Sequence, residues 1–200
     1  MLLLAAGQMV RHYPKFAERD RACKHWGLMR AEDLRAVQAP LKERYGADPE
    51  TAVVTLSADA ELGEGISCSV RTGGALAAAG LHPATGGDGS LLCSGDMLLE
   101  ALVACAGVTL RAVCTSLEIP VTGGTVSAEG ELDFRGTLGV SKEAPVGFRA
   151  IRLHFDIVSD ASAADLETVL RLTERYCVVL QTIRRPPEMT ASISRGTKAA

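Results

Sequence analysis

One stretch constrains this chain more than any other: CSGDMLLEALVACAGVTLRAVCTSLEIP, whose core from Ser94 to Glu118 is the longest apolar segment in the sequence. It reads as a single helix. Ser94 is the predicted N-cap, Asp96 sits in the first turn where an acid suits the positive end of the helix dipole, and Pro120 ends propagation after Ile119. Met97, Leu98, Leu99, Leu102, Val103, Val108, Leu110, Val113 and Leu117 point in nearly every direction, so no clean polar stripe is left for solvent. Such a helix is expected in the middle of a fold. Glu100 and Arg111 interrupt the apolar run, which argues against a bilayer span of roughly 18 to 20 residues. The small residues Ala101, Ala104, Ala106, Gly107 and Ala112 suit close approach of neighbouring elements, and Cys105 lies among them. Taken alone, Cys105 reads as a buried structural thiol, because free cysteine behaves as a small hydrophobe.

A chain of 200 residues suits one domain with its own core, plus an extension. Its net charge of -3 and aromatic content of 4% leave no basic footprint and little to stack bases on, so nucleic acid is not an expected partner. The six cysteines, at 23, 68, 93, 105, 114 and 177, show no CxxC and no zinc-like pairing with histidine. Neither a disulfide scaffold nor a metal site is expected. The N-terminus, MLLLAAGQMVRHYP, lacks the positive region and cleavage site of a signal peptide, so a reducing cytoplasm is the expected location.

Residues 1–50 read as an N-terminal helical extension and residues 51–200 as the main domain. His12 and His25 stand in a charged, poorly patterned stretch and read as solvated surface residues. From Ala31 to Tyr45, Leu34, Val37, Leu41 and Tyr45 mark one face of an amphipathic helix, with Pro40 as a kink or break. The period then changes. AVVTLSADA and ISCSVRT, separated by GEG, predict a hairpin that buries Ile66, Cys68 and Val70, and Ala75 to Leu81 is a third short strand. The loop HPATGGDGS, 82–90, carries neither GxGxxG nor GK[ST], so no nucleotide cofactor is expected.

TVSAEGELDF and the segment Arg149 to Asp160 are further strands; in the second, Ile151, Leu153, Phe155 and Ile157 face opposite to Arg152, His154 and Asp156. Leu166, Val169, Leu170 and Thr173 mark a second amphipathic helix with an N-cap between Ser159 and Ser162. YCVVLQTIRRPP is expected to continue as helix until Pro186 and Pro187, after which EMTASISR reads as a final edge strand. Cys177 falls near a helix junction beside Arg175 and Tyr176. A cation there would favour thiolate, the reactive form, though the same arginines read equally well as surface charges.

With DMLLEALVACAGVTL around Cys105, RYCVVLQTI around Cys177 and this order of elements, the chain resembles the OsmC/Ohr family of osmotically inducible and organic hydroperoxide resistance proteins over roughly residues 50–195. The resemblance implies an α+β, OsmC-like fold: antiparallel sheets wrapped around a central buried Cys-bearing helix in an intertwined homodimer. It implies further that Cys105 is a peroxidatic thiolate and Cys177 the resolving thiol, with a dithiol reductant such as a lipoylated protein reopening the disulfide. No cofactor, metal or membrane is implied.

The family's arginine and glutamate do not carry over. The glutamate position falls on Gly95, with Asp96 beside it, and no arginine lies between Arg71 and Arg111. His82, or a residue of the partner chain, is therefore the candidate replacement for the cation, with Asp96 holding it. Two other readings stand beside the peroxidase: an OsmC-like dimer that binds a small hydrophobic ligand without turnover, and a structural or regulatory dimer with inert thiols.

Overall fold

The computed structural model describes residues 30–53, 60–62, 67–72 and 75–195. The N-terminal stretch before residue 30 and the GEG turn lie outside the described residues, as do the side chains of 60–62 and 67–72, and with them the expected core position of Cys68. The first helix, α1 (Ala31–Ala47), starts with Glu32 and Asp33 in its first turn, and the Asp33 carboxylate accepts from the Arg30 N–H at 3.3 Å. It carries Pro40 in its interior and runs two residues past the expected end. Arg35 ties it to the far end of the central helix through Glu118, at 3.3 Å.

Three strands follow as an antiparallel meander in the order β1 (Ala60–Leu62), β2 (Ser67–Thr72) and β3 (Ala75–Gly80), with Cys68 opposite Leu62 on one side and Ala79 on the other. The weak alanine-rich strand at 75–80 does form. Leu92 then pairs with its edge, donating to the Ala78 carbonyl and accepting from the Gly80 N–H, which anchors the chain just before the central helix, α2 (Ser94–Ser116). Cys93, not Ser94, is the N-cap residue.

A second antiparallel pair, β4 (Gly123–Leu132) and β5 (Phe148–Val158), places Val126 opposite Phe155 and Ala128 opposite Leu153. Alternation along β5 turns Leu153, Phe155 and Ile157 inward and leaves Arg152, His154 and Asp156 exposed, as the period-two pattern predicts. The register slips between Glu131 and Leu132, where Phe148 crosses Gly130 so closely that a Cβ would land on its ring. The strand stops before Asp133, whose carboxylate caps a short turn, α3 (Phe134–Thr137), and is clamped by Arg135.

Ser162 caps the next helix, α4 (Ala163–Tyr176), by accepting from the Asp165 N–H at 3.2 Å. The helix does not run on to the prolines as expected. It breaks at Cys177 (φ -71, ψ 105), and a separate helix, α5 (Val178–Arg184), begins there. Two side chains make the break stable: Gln181 Nε2 donates to the otherwise orphaned carbonyl of Glu174 at 2.7 Å, and Arg184 pairs with the Glu174 carboxylate at 2.8 Å. Residues 186–195 form no strand, against expectation; no described strand runs beside them, and Met189 and Ile193 stand exposed.

The core lies where α2 meets β4, β5, α4 and α5. Leu102, Ala106, Leu110, Val113 and Cys114 form its buried stripe, packed on Val126, Phe155 and Val169 among others. Within one chain this helix is covered on one side only: on the opposite side Val108 is 73% exposed, and Ala101 and Ala104 are exposed as well. Ser94–Leu117, with a mean hydropathy of 1.8, is long and apolar enough to cross a membrane by composition alone. Its inward stripe is packed as a core helix is.

Candidate active site

The break at Cys177 brings two distant thiols together. Cys105 lies in the middle of α2, half-buried against a cluster formed by Leu102, Ala106, Cys177 and Leu180, with Val179 and Ile183 packed on it. Cys177 is fully buried. Both are free thiols, packed in one cluster and acting on one another's acidity. Because Cys177 is also the N-cap of α5, the N–H groups that follow it have no carbonyl one turn back inside their own helix. Those of Val178 and Val179 act on the Cys105 thiol and lower its pKa.

The electrostatics of the pair are asymmetric. Burial pushes the Cys105 thiol up, but the Val179 N–H, the Cys177 thiol, the Val178 N–H and the Thr109 hydroxyl outweigh it, leaving Cys105 below the ordinary cysteine value. Cys177 moves the other way: burial raises it, the Leu180 N–H opposes that, and the Cys105 sulfur, as acceptor and as charge, raises it further. Cys105 is therefore the more acidic thiol of the pair and Cys177 the less acidic. The groups that achieve this are two amides, a thiol and a hydroxyl, none of them a cation.

His82 and Asp96 do not join this pair within one chain. His82 precedes the 3-10 turn Pro83–Thr85, where its Nδ1 accepts from the Ala84 N–H at 3.0 Å, and its ring stacks on Phe134 at 4.9 Å. Asp96 is exposed at the start of α2, roughly 14 Å along the axis from Cys105 and on the opposite side of the helix. The two instead line a separate cavity of about 460 Å³ with Cys93, Arg149 and Phe148. A Cβ on Gly95 would make only ordinary contacts of 3.5–3.6 Å, so space does not demand glycine at the family's glutamate position. Cys114 faces away from Cys105 and is buried, as its spacing predicts.

A larger cavity, about 640 Å³, adjoins the thiol cluster. Leu98, Leu102, Ile151, Leu153, Phe155, Leu180 and Ile183 give it apolar walls, and Arg149, Glu174 and Arg184 are its charged residues. Leu102, Leu180 and Ile183 belong both to this wall and to the packing around Cys105. Among the described residues, no group of three or more His, Cys, Asp or Glu could hold a metal ion.

Thr109 and the amides of Val178 and Val179 were not singled out by sequence. Thr109 had a legible signal, one helical turn after Cys105, where a hydroxyl reaches back; it donates to the Cys105 carbonyl at 2.8 Å. The amides had none, because they are donors only once the helix breaks.

A fold with a dithiol held between a core helix and a helix junction defines an α+β thiol protein. The chain belongs to the OsmC-like protein family, whose model matches residues 87–192, as the resemblance around Cys105 and Cys177 implied. Its fold matches an OsmC-like protein from Mycoplasma pneumoniae at 18% identity and TM-score 0.56, covering 66% of this chain and 89% of that one. An organic hydroperoxide resistance protein OsmC from Legionella pneumophila matches at 19% identity and TM-score 0.53, covering 66% and 91%. One from Elizabethkingia anophelis matches at 16% and 0.53, covering 67% and 91%. No curated protein matches the chain.

Proposed function

We propose that the chain is a thiol-dependent peroxidase that reduces organic hydroperoxides. The observation that carries this reading is the packing of two free thiols in one core cluster at the start of α5, with Cys105 drawn below and Cys177 pushed above the ordinary cysteine value. The Cys105 thiolate attacks the hydroperoxide, the O–O bond breaks, the alcohol leaves with a proton, and Cys105 becomes sulfenic acid. Cys177 then forms the disulfide with release of water, and a dithiol reductant, such as a lipoylated protein, restores both thiols. The amides of Val178 and Val179 take the part of a cation at Cys105, so no cofactor or metal is needed; His82→Ala tests whether the imidazole, with Asp96, adds to it. The apolar walls beside the thiols favour organic over hydrogen peroxide.

The same reading makes the protein a cytoplasmic homodimer. The uncovered side of α2, with Ala101, Ala104 and Val108, is the face for a second copy, which would bury that helix on both sides. The experiment is a count of free thiols and intact mass after one equivalent of cumene hydroperoxide. Wild type loses two thiols, Cys105→Ser does not react, and Cys177→Ser stops at a sulfenic acid. If all three keep their thiols, the chain is not a peroxidase. The reading favoured by the 640 Å³ cavity would then stand, a dimer that binds a small hydrophobic ligand.

A further inference from the structure

Thr173 carries a polar group that the core leaves unpartnered. Its residue is 1% exposed, and its hydroxyl is the one buried side-chain oxygen or nitrogen without a hydrogen-bond partner among the described residues. Such a hydroxyl has given up water and gained nothing, and valine would fill the same space without that cost. Its register gives the reason for keeping it. Thr173 stands one turn before Cys177, whose N–H bonds to the Thr173 carbonyl at 2.9 Å, and residues four apart share a helix face. Val169, Thr173 and Cys177 are all buried on that face. Val169 packs with Leu110, Val113 and Cys114, while Cys177 packs with Leu102 and Ala106, so Thr173 lies between the two clusters in the layer against α2.

We propose that Thr173 is a positioning residue for the second thiol: its hydroxyl turns to donate a hydrogen bond to the Cys177 sulfur as that sulfur attacks oxidised Cys105. The proposal rests on the peroxidase reading. In the resting pair the Cys177 thiol is the less acidic of the two. In the resolving step an S–S bond forms while the S–O bond of the Cys105 sulfenic acid breaks, and the hydroxyl leaves with the Cys177 proton as water. The sulfenic sulfur is reduced and the thiol sulfur oxidised, so no further reductant or oxidant enters. Negative charge therefore builds on a fully buried sulfur whose helix-mate hydroxyl is free, and one rotation about χ1 redirects that hydroxyl. A donor used at only one step is unpartnered at the others.

The test compares Thr173→Val and Thr173→Ser with wild type in single-turnover reactions with cumene hydroperoxide, quenched over time and read by intact mass. In Thr173→Val, sulfenic acid forms at the wild-type rate, disulfide formation slows by about tenfold, and the pH profile of that step moves up by about one unit. Thr173→Ser restores rate and profile. Thr173→Val melts no lower than wild type, which separates the effect from misfolding. A wild-type disulfide rate and pH profile in Thr173→Val would overturn the proposal, as would equal slowing in Thr173→Ser. A wild type that forms no sulfenic acid removes the peroxidase reading itself.

Discussion

The backbone N–H of Val179, in the first turn of α5, lowers the pKa of Cys105 in the middle of α2. It is free to do so because the chain breaks at Cys177: an unbroken helix would have spent the same N–H on the carbonyl of Arg175, one turn back. One local change of ψ thus supplies both the second thiol and the donors that act on the first.

Cys105 and Cys114 share a helix but are shifted in opposite directions from the ordinary cysteine value. Donors outweigh burial at Cys105 and hold it below the ordinary cysteine value; burial outweighs Arg111 at Cys114 and raises it. A thiol reacts as thiolate, which is present above its pKa, so as pH falls Cys114 loses reactivity first and Cys105 last. Iodoacetamide labelling read peptide by peptide should give Cys105 the lower inflection. Thr109→Val removes a hydroxyl that lowers Cys105 when its single proton turns from the Cys105 carbonyl to the sulfur, so the Cys105 inflection should rise and the peroxide rate at neutral pH fall by about three- to tenfold. An unchanged inflection would show that the hydroxyl serves only the Cys105 carbonyl.

Val108 is 73% exposed on the uncovered side of α2. A glutamate there would bury an unpaired carboxylate in the proposed dimer, at a cost of several kcal/mol. Light scattering should show a wild-type dimer and a Val108→Glu monomer at micromolar concentration. A wild type that stays monomeric throughout would remove the dimer.

Gly130 is held by a neighbour rather than by its own dihedrals, since a Cβ there meets the Phe148 ring. Gly130→Ala should destabilise by about 1–3 kcal/mol in urea melts. Phe148→Leu should recover part of that loss in the double variant, because the two positions are in direct contact. Additive losses would place the cost elsewhere.

Where a stretch was strongly periodic, its structure could be read from the chain. β5 alternates as written, Ser162 caps α4, and α2 begins within one residue of the predicted cap, because each rests on neighbours a few residues away. The readings that failed depend on distant partners. EMTASISR has the composition of a strand but no described strand beside it, and YCVVLQTI has the composition of one helix but bends where Gln181 and Arg184 hold Glu174. For the site, the sequence alone singled out Cys105 and Cys177, which sit in motifs that carry the family resemblance. Only the tertiary structure decided that they pack in one cluster, that the amides of Val178 and Val179 act on Cys105, and that His82 and Asp96 lie apart from them within one chain. The physical reason is that a hydrogen bond is set by distance and direction in space. Residue type supplies the groups, and the packing of α5 against α2 supplies the distance.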